Sequence, residues 1–396
     1  MENQNQIIVV GAGPVGLVAA LTLAQGGANV TLLEKRDQLN QASKASTFHP
    51  PTLEILDHLG VLDTTKSLGY VVDRVQYRTP SDGIVGELPF SKLQGITPFP
   101  FRMHLEQSRL TPILLQSLQN HPNATVHFNA DLVNIIDNKD QRTAEVKIDG
   151  VTRYLNFSYL MGTDGAHSVV RNLAGITFEG EAYPGKVLRY LTDEDLSTLL
   201  PGIGPITYLV NDTHSASFLR MPDCWRIILR VPADVSEETA LTDEWALERL
   251  RPLIPGLEKL PRQIGKDVYG ASKRIAGTYS KGNIFLAGDS AHLSNTRGGM
   301  NMNCGIHDAF HIARALADAI RNPSSELPNQ IASERHAVAQ NMLIPRSDSM
   351  VSAEGKWIDR VRSLLADNDR SLQHLQQTAM LDMTPKLNPS RSYQPA

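Results

Sequence analysis

Residues 7–16 read Ile-Ile-Val-Val-Gly-Ala-Gly-Pro-Val-Gly, a β-branched run followed at once by three spaced glycines. Such a run is typical of a parallel strand that is covered on both faces. Helix-forming residues continue from Leu17 to Ala24, and a second apolar run covers Val30 to Leu33, with Glu34 directly after it. The order strand, glycine turn, helix, strand and acid predicts a Rossmann-like unit.

Each glycine has a mechanical role in such a unit. Gly11 permits the tight turn, Gly13 lets a pyrophosphate approach the backbone, and Gly16 lets the helix pack on the strand. The helix N-terminus offers free N–H groups and partial positive charge to that anion, and the Glu34 carboxylate is placed to accept hydrogen bonds from a ribose. We therefore predict a dinucleotide site, with a purely structural glycine turn as the alternative.

The segment from Ile7 to Ala24 is also an almost uncharged run of 18 residues, which is the length of a membrane span. No Lys or Arg precedes it, and Gly11, Gly13 and Pro14 would break a single spanning helix. We therefore expect neither a membrane span nor a signal peptide.

Length and composition exclude several classes of protein. The 396 residues suffice for two to three domains or one large α/β unit with an inserted lobe. With 38 basic and 42 acidic side chains the net charge is −4. The chain therefore lacks the excess of positive charge that binding to nucleic acid or to an anionic membrane requires. Cys224 and Cys304 lack CxxC spacing, so we expect no disulfide framework, no metal site and a cytoplasmic protein.

Two later motifs continue the pattern. Residues 160–171 read Leu-Met-Gly-Thr-Asp-Gly-Ala-His-Ser-Val-Val-Arg, a strand end that runs into a short helix, with Asp164 in the turn. Residues 284–292 read Ile-Phe-Leu-Ala-Gly-Asp-Ser-Ala-His, a buried strand that ends at Asp289. A carboxylate there is costly unless hydroxyl groups donate to it, and a ribityl chain would supply them. A helix cap or turn aspartate is the alternative for both, and the stronger one for Asp164.

Downstream of Asp289, Gly298 and Gly299 precede a helix that we expect from about Gly305 to Arg321. Adjacent glycines before a helix admit a flat ring against bare backbone, and the helix dipole favours negative charge there. A simple turn is the alternative.

The three motifs, in this order, resemble the single-component FAD-dependent aromatic hydroxylases, the flavoprotein monooxygenases whose best-known member hydroxylates para-hydroxybenzoate. The resemblance covers roughly residues 5–345. It implies bound FAD, NADPH or NADH as reductant, O₂ as co-substrate, and hydroxylation of a small aromatic or N-heteroaromatic substrate through a flavin C4a-hydroperoxide. The implied fold is α/β, a Rossmann-like FAD-binding domain with an inserted mixed β-sheet substrate domain and C-terminal helices.

The resemblance also implies cofactor-binding positions that are spread along the chain. They are Gly11, Gly13, Gly16, Glu34, Lys35, Arg36, Lys44, Gln107, Leu132, Asp164, Asp289, Gly298, Gly299, Met300 and Asn301.

The chain departs from the family pattern at three places. Lys44 stands where an arginine is usual, so the charge is kept but the bidentate fork is lost. Asn295-Thr296 replace two prolines, and Asn301 replaces a common glycine. We expect a flavin pocket that is more polar than usual.

Residues 70–105 and 178–272 carry short alternating runs separated by turn signals, which predict a mixed sheet above the flavin. The runs are Val71–Tyr77, Ile206–Val210, Ala216–Met221 and Trp225–Val231. Arg220 lies on the same side of its strand as Phe218, and we expect Tyr208 to share that face and line a substrate pocket. His49 is a further candidate. A surface salt bridge is the alternative for Arg220 and a helix-entry role the alternative for His49, and no catalytic base is identified.

The predicted boundaries follow these changes of pattern. The FAD-binding domain takes 1–69, 106–177 and 273–330, with 322–330 as a surface linker; the substrate domain takes 70–105 and 178–272; C-terminal helices take 331–382 and a disordered tail 383–396. The chain is too short for the thioredoxin-like C-terminal domain that longer members of the family add.

Four alternatives stay open: a flavin halogenase, an epoxidase, a reductase of the same fold, or a non-enzymatic escort protein. The tryptophans Trp225, Trp245 and Trp357 are isolated, which counts against the Trp-x-Trp-x-Ile-Pro segment of halogenases. The choice of NADPH or NADH and of monomer or homodimer is also open.

Overall fold

The structure, a computed structural model, describes residues 6–42, 45–138, 141–350 and 357–385. The strands in chain order are β1 (Gln6–Val10), β2 (Asn29–Leu33), β3 (Thr47–Phe48), β4 (Tyr70–Val72), β5 (Arg74–Thr79), β6 (Gly83–Pro89), β7 (Arg102–His104), β8 (Ala124–His127), β9 (Ala130–Asn138), β10 (Gln141–Ile148), β11 (Val151–Asn156), β12 (Tyr159–Gly162), β13 (Phe178–Thr192), β14 (Ile206–Val210), β15 (Ser215–Arg220), β16 (Trp225–Val231), β17 (Gln263–Ala276), β18 (Ser280–Lys281), β19 (Ile284–Leu286) and β20 (His292–Leu293).

The helices in chain order are α1 (Pro14–Gln25), α2 (Pro50–His58), α3 (Leu62–Leu68), α4 (Gln107–Gln119), α5 (Val169–Leu173), α6 (Glu237–Ala240), α7 (Asp243–Leu250), α8 (Met300–Arg321), α9 (Leu327–Val338), α10 (Ile344–Ser349), α11 (Trp357–Leu365) and α12 (Asn368–Thr378). None of these helices is long and apolar enough to cross a membrane.

The first large sheet carries the N-terminal motif. Its strand order is β18-β19-β12-β1-β2-β8, and β8, β2, β1, β12 and β19 pair in parallel. Parallel neighbours place their carboxyl ends along one edge of the sheet. Gly11, Glu34, Asp164 and Asp289 all follow such ends, so the fold brings the predicted motifs to a common edge.

The second large sheet has the order β20-β17-β13-β16-β15-β14-β5-β6. Its centre is the antiparallel pair of long strands β13 and β17. One face is buried in a hydrophobic core with α7, and the β5–β14 end is covered by α11 and α12. Two three-stranded sheets, β11-β10-β9 and β3-β7-β4, complete the described sheets. The predicted α/β class is confirmed, and the domain boundaries stay a prediction.

Three local predictions were wrong in position. The long helix α8 begins at Met300 instead of near Gly305, because the left-handed Gly299 ends the loop there. Helix α9 begins inside the expected linker, at Leu327, where Pro328 is suited to the first helical turn. The run Val71–Tyr77 is broken at Asp73 into β4 and β5. Residues 386–396 of the expected tail lie outside the described residues.

Candidate functional site

The glycine turn after β1 shows three different environments for its three glycines. Gly11 has φ +104°, and a Cβ added there would lie 2.6 Å from the Thr163 carbonyl oxygen. A Cβ at Gly16 would lie 1.9 Å from the Gly11 carbonyl oxygen, whereas a Cβ at Gly13 would meet nothing within 4 Å. Gly11 and Gly16 are therefore required by packing, and Gly13 faces open space.

Glu34 is held against this turn. The residue is 6% exposed, and its carboxylate accepts hydrogen bonds from the backbone N–H of Ala12 (2.9 Å) and of Arg36 (3.0 Å). The Arg36 guanidinium lies 3.3 Å away and is half-exposed, and Lys35 is exposed. The acid is thus fixed at the end of β2, beside the N-terminus of α1.

Three further predicted cofactor-binding residues are Gln107, Leu132 and Lys44. Gln107 is the first residue of α4, and its side-chain amide donates to the Ala42 carbonyl oxygen at 3.1 Å. Leu132 is buried in β9, whose first residue, Ala130, donates its N–H to the Glu34 carbonyl oxygen at 2.9 Å. Lys44 lies outside the described residues.

Asp164 acts as a helix cap. Its carboxylate accepts from the Ser168 hydroxyl (2.5 Å) and from the backbone N–H groups of Val169 (2.7 Å) and Val170 (3.1 Å). These are the otherwise unpaired N–H groups of the α5 N-terminus. These contacts are those of a helix cap, the alternative considered for Asp164. A contact of Asp164 with a cofactor stays a prediction.

Asp289 lies in a short 3₁₀ turn after β19 and is exposed. The Asn301 side-chain amide donates to its carboxylate at 2.9 Å. Arg171 donates to the neighbouring Ser290 carbonyl oxygen at 3.0 Å, which joins the second and third motifs. The expectation of a costly buried carboxylate was wrong, because the turn brings Asp289 to the surface, where Asn301 holds its carboxylate at the sheet edge.

The glycine loop opens the longest helix. Gly298 (φ 75°) and Gly299 (φ 62°) are both left-handed, and Met300 then begins the 22-residue α8. The first N–H groups of such a helix lack helical acceptors and carry partial positive charge. The loop thus leads directly into a helix as predicted, with the helix starting five residues earlier, and its contact with a flavin ring stays a prediction.

His49, at the start of α2, holds the glycine loop by a hydrogen bond. It is fully buried at the N-cap of α2, and its Nε2–H donates to the Gly298 carbonyl oxygen at 2.8 Å. Burial, and then the nearby Arg102 charge, hold the pKa of His49 well below its ordinary value, so the ring is neutral. The helix-entry role considered for His49 is the one the structure shows.

Asn303 also holds the glycine loop, and the sequence analysis did not identify this residue. Its side-chain oxygen accepts from the His49 backbone N–H (3.0 Å) and the Thr52 hydroxyl (2.6 Å), and its amide donates to the Gly299 carbonyl oxygen (2.6 Å). The sequence signal that could have identified Asn303 is an amide side chain in the first turns of an otherwise apolar helix. All four hydrogen-bonding positions of a buried asparagine are used once Thr47 is included.

The predicted grouping of Tyr208 with Phe218 was wrong. Tyr208 stands opposite Ser217 on one neighbouring strand and opposite Tyr77 on the other, whereas Phe218 stands opposite Thr207. Because directly opposed residues share a face and successive residues alternate, Tyr208 lies on the opposite face from Phe218.

The two faces also differ in burial. Phe218 is fully buried in the core formed with Trp245 of α7. On the other face Tyr208, Ser217 and Ile228 are only half-buried. Arg220 belongs with Phe218, and its guanidinium lies 5.5 Å from the centre of the Trp225 ring and 5.9 Å from that of Tyr70. The structure therefore places Tyr208 and Arg220 apart.

The half-buried face looks toward the motif-bearing sheet. Arg226, on this face, donates to the Ser46 hydroxyl at 2.9 Å, just before β3. The carbonyl oxygen of the neighbouring Thr47 accepts from the amide of Asn303, which holds the glycine loop. Tyr269 lies on this face too, because it stands opposite Val187 on β13, and Val187 stands opposite Arg230 on β16. Burial raises the pKa of both Tyr208 and Tyr269, so each phenol keeps its proton near neutral pH.

Comparisons with known proteins agree with these motifs. A model of the FAD binding domain family matches residues 4–344. Para-nitrophenol 4-monooxygenase of Pseudomonas sp. strain WBC-3 is 28% identical over 338 residues, covering 82% of this chain and 81% of that protein. The 6-hydroxy-3-succinoylpyridine 3-monooxygenase of Pseudomonas putida strain S16 is 29% identical over 390 residues, covering 93% and 96%.

Solved structures extend the likeness to the whole fold. The crystal structure of p-nitrophenol 4-monooxygenase from Pseudomonas putida DLL-E4 superposes with a TM-score of 0.85 at 25% identity, covering 97% of this chain and 98% of that one. The family model spans both the N-terminal glycine turn and the Asp289 motif. The chain therefore belongs to the FAD-dependent aromatic hydroxylases, a family of flavoprotein monooxygenases.

Proposed function

We propose that this monooxygenase uses NAD(P)H and O₂ to hydroxylate a small aromatic or N-heteroaromatic substrate. The observation that carries this proposal is the position of the half-buried sheet face. Arg226 on that face donates to the Ser46 hydroxyl at 2.9 Å, and the carbonyl oxygen of the neighbouring Thr47 accepts from Asn303, which also donates to the Gly299 carbonyl oxygen at the head of α8. A flavin ring seated at that loop would share one space with a substrate bound against the sheet.

The sheet edge of the first domain has the features that FAD needs. Open space at Gly13 suits a pyrophosphate, the held carboxylate of Glu34 suits a ribose, and Asp289 suits the ribityl hydroxyls. The left-handed Gly298 and Gly299 suit the ring. We propose that these residues hold the cofactor, with Lys35, Arg36, Lys44, Gln107, Leu132, Asp164, Met300 and Asn301 as the further predicted positions.

When bound, FAD supplies the redox chemistry, carrying two electrons from NAD(P)H to O₂ so that one oxygen atom is added to the substrate and the other leaves as water. The chain's own residues bind, orient and exclude water. Tyr208 and Tyr269 can each donate a hydrogen bond to a substrate oxygen because their phenols stay protonated. The buried face behind Tyr208 and the C-terminal helices beyond it keep solvent from this side of the site.

The named relatives narrow the substrate class. Para-nitrophenol and 6-hydroxy-3-succinoylpyridine each carry a ring hydroxyl, and so does pentachlorophenol, the substrate named for a third relative. A ring oxygen is the group that two phenol donors would recognise. We propose a phenol or hydroxypyridine as the substrate.

The test is a substrate-stimulated NAD(P)H oxidation screen across phenols, hydroxypyridines and aromatic acids, under ¹⁸O₂. We expect at least one phenol or hydroxypyridine to speed NAD(P)H oxidation and to yield a product that carries one ¹⁸O atom. Peroxide measured in parallel separates hydroxylation from unproductive oxygen reduction. A yellow, FAD-loaded protein whose NAD(P)H oxidation no aromatic compound stimulates would contradict the proposal.

A further inference from the structure

Five polar side chains form a continuous chain from the interior to the edge of the first sheet. Arg335 donates from Nε to Asp308 Oδ1 at 2.7 Å, and His292 Nε2 lies 2.9 Å from Asp308 Oδ2. His292 Nδ1 lies 3.0 Å from Asn301 Oδ1, and Asn301 Nδ2 lies 2.9 Å from Asp289 Oδ1. Arg335, Asp308 and His292 are at most 3% exposed. We call these five residues the Asp289–Arg335 chain.

The two carboxylates of the chain, those of Asp289 and Asp308, fix the direction of every hydrogen bond. The Asp289 carboxylate only accepts, so the NH₂ group of Asn301 faces it and the amide oxygen of Asn301 faces His292. His292 must then donate from Nδ1. The Asp308 carboxylate also only accepts, so His292 donates from Nε2 as well. A histidine that donates from both nitrogens is an imidazolium.

The electrostatics of the site agree with this reading. Burial alone would lower the pKa of His292, but Cys304 and the hydrogen-bonded Asp308 carboxylate outweigh it and hold the pKa well above its ordinary value. The pKa of Asp308 is lowered despite burial, because the Arg335 and His292 charges face it. The carboxylate is therefore shared between two cations.

The same cluster has the donor atoms of a metal site, since those of His292, Cys304 and Asp308 lie within 4.8 Å of one another. The positive charge that a metal ion would bring to this cluster is already supplied by a side chain, that of Arg335. Arg335 pairs with Asp308 through Nε and approaches the Cys304 sulfur at 3.5 Å through Nη2. His292 has no lone pair to offer while both nitrogens donate. The cluster is better described as an anchored ion pair than as a metal centre.

We propose that His292 is a positioning residue which, anchored by Asp308 and Arg335, holds Asn301 so that Asn301 orients the Asp289 carboxylate for the cofactor hydroxyls. The proposal rests on the proposed role of Asp289 in FAD binding. The amide of Asn301 makes this link with both of its polar atoms, accepting from His292 and donating to Asp289. An exposed carboxylate held in one orientation loses less conformational freedom when a ligand binds it.

The test measures FAD affinity of the apoprotein by fluorescence titration, so it does not depend on turnover. We expect Asn301→Ala to weaken FAD binding about 3- to 10-fold and Asp289→Ala about 10- to 100-fold. The double variant should bind no more weakly than Asp289→Ala alone, because Asn301 acts through Asp289. Asn329→Ala is the matched control, since Asn329 lies in the first turns of α9 and donates to the exposed Glu326 carboxylate at 3.3 Å.

A second variant separates the hydrogen bond from simple packing. Asn301→Asp keeps the shape of the side chain but replaces the donor toward Asp289 with another carboxylate. We expect it to weaken FAD binding at least as much as Asn301→Ala. ¹⁵N-histidine NMR should show both ring nitrogens of His292 protonated at pH 8, well above an ordinary histidine pKa of about 6.5.

The possible failures can be told apart. Parent-like affinity in Asp289→Ala would remove the assigned role of Asp289, and with it this inference. A strong Asp289→Ala effect with parent-like Asn301 variants, or with additive losses in the double variant, would overturn the inference alone. A His292 that is neutral at pH 8 would overturn the anchoring step. Absence of hydroxylation in the substrate screen would leave all these binding results standing.

Discussion

The Nε2 atom of His49 lies 2.8 Å from the carbonyl oxygen of Gly298 and joins the start of α2 to the loop that opens α8. The partner is a carbonyl oxygen, so the ring must donate from Nε2. Gly298 is left-handed, and the side chain that donates to its carbonyl oxygen comes from position 49. The loop geometry therefore depends on a residue far away in sequence.

We expect His49→Ala to loosen this loop. The Gly298 carbonyl would lose its buried donor, which costs about 1–3 kcal/mol of stability. FAD affinity should fall with it, because the loop is the proposed seat of the ring. His49→Gln keeps an amide donor near the Nε2 position and should recover most of both losses. Thermal unfolding of the apoprotein and FAD titration check this, and equal losses in both variants would contradict a hydrogen-bonding role.

The glycine turn gives a contrasting pair of variants. Gly13→Val places a side chain in open space, so we expect the protein to fold and to lose bound flavin. Gly16→Ala puts a Cβ 1.9 Å from the Gly11 carbonyl oxygen, so we expect loss of stability by about 1–3 kcal/mol or more. Circular dichroism, thermal unfolding and flavin absorbance separate the two outcomes. A Gly13→Val protein that retains full flavin would remove the pyrophosphate site from this turn.

Local signals predicted the first sheet well. The β-branched run at Ile7–Val10 and the glycines that follow it specify a strand and a turn without reference to the rest of the chain, and both were found. The start of α8 was missed because Asn301 and Asn303 interrupt the apolar pattern, and their side chains are used by tertiary contacts.

Cross-strand and long-range relationships could not be predicted in the same way. Alternation shows which residues of one strand share a face, but the face of Tyr208 relative to Phe218 depends on the register between β14 and β15. Asp308 and Arg335 are 27 residues apart and meet only because α8 packs against α9. The Gly-Asp-Ser-Ala-His motif contained His292, but nothing local identified its partners.

The half-buried face makes a prediction about substrate binding. Tyr208→Phe removes a phenol donor from that face and leaves the stacked ring contact with Tyr77, whose centre is 5.9 Å away. We expect KM for the aromatic substrate to rise about 3- to 10-fold, with FAD affinity unchanged. Tyr154→Phe is the matched control, because Tyr154 is 63% exposed on β11 in a different sheet. Unchanged KM and coupling in Tyr208→Phe would place the substrate elsewhere.

Buried neutral histidines predict the pH dependence of stability. Burial is the main cause that lowers the pKa of His49 and His307 well below the ordinary value and that of His104 to about 4. The unfolded chain takes up these protons below about pH 6.5, while the folded protein does not, so stability falls as pH falls through that range. His292 has the opposite sign, since its raised pKa adds stability that is lost only as pH rises toward that value.

His104 isolates this effect. Its Nδ1–H donates to the Arg220 carbonyl oxygen at 2.7 Å, and the asparagine of His104→Asn can supply a donor at a similar position without titrating. At pH 5 the unprotonated, buried ring costs the parent about 2 kcal/mol relative to neutral pH. Urea unfolding of the apoprotein at pH 7.5 and pH 5 should therefore show a drop in stability that is smaller by about 2 kcal/mol in His104→Asn than in the parent. Equal drops in the two proteins would mean that His104 does not titrate between the folded and unfolded states.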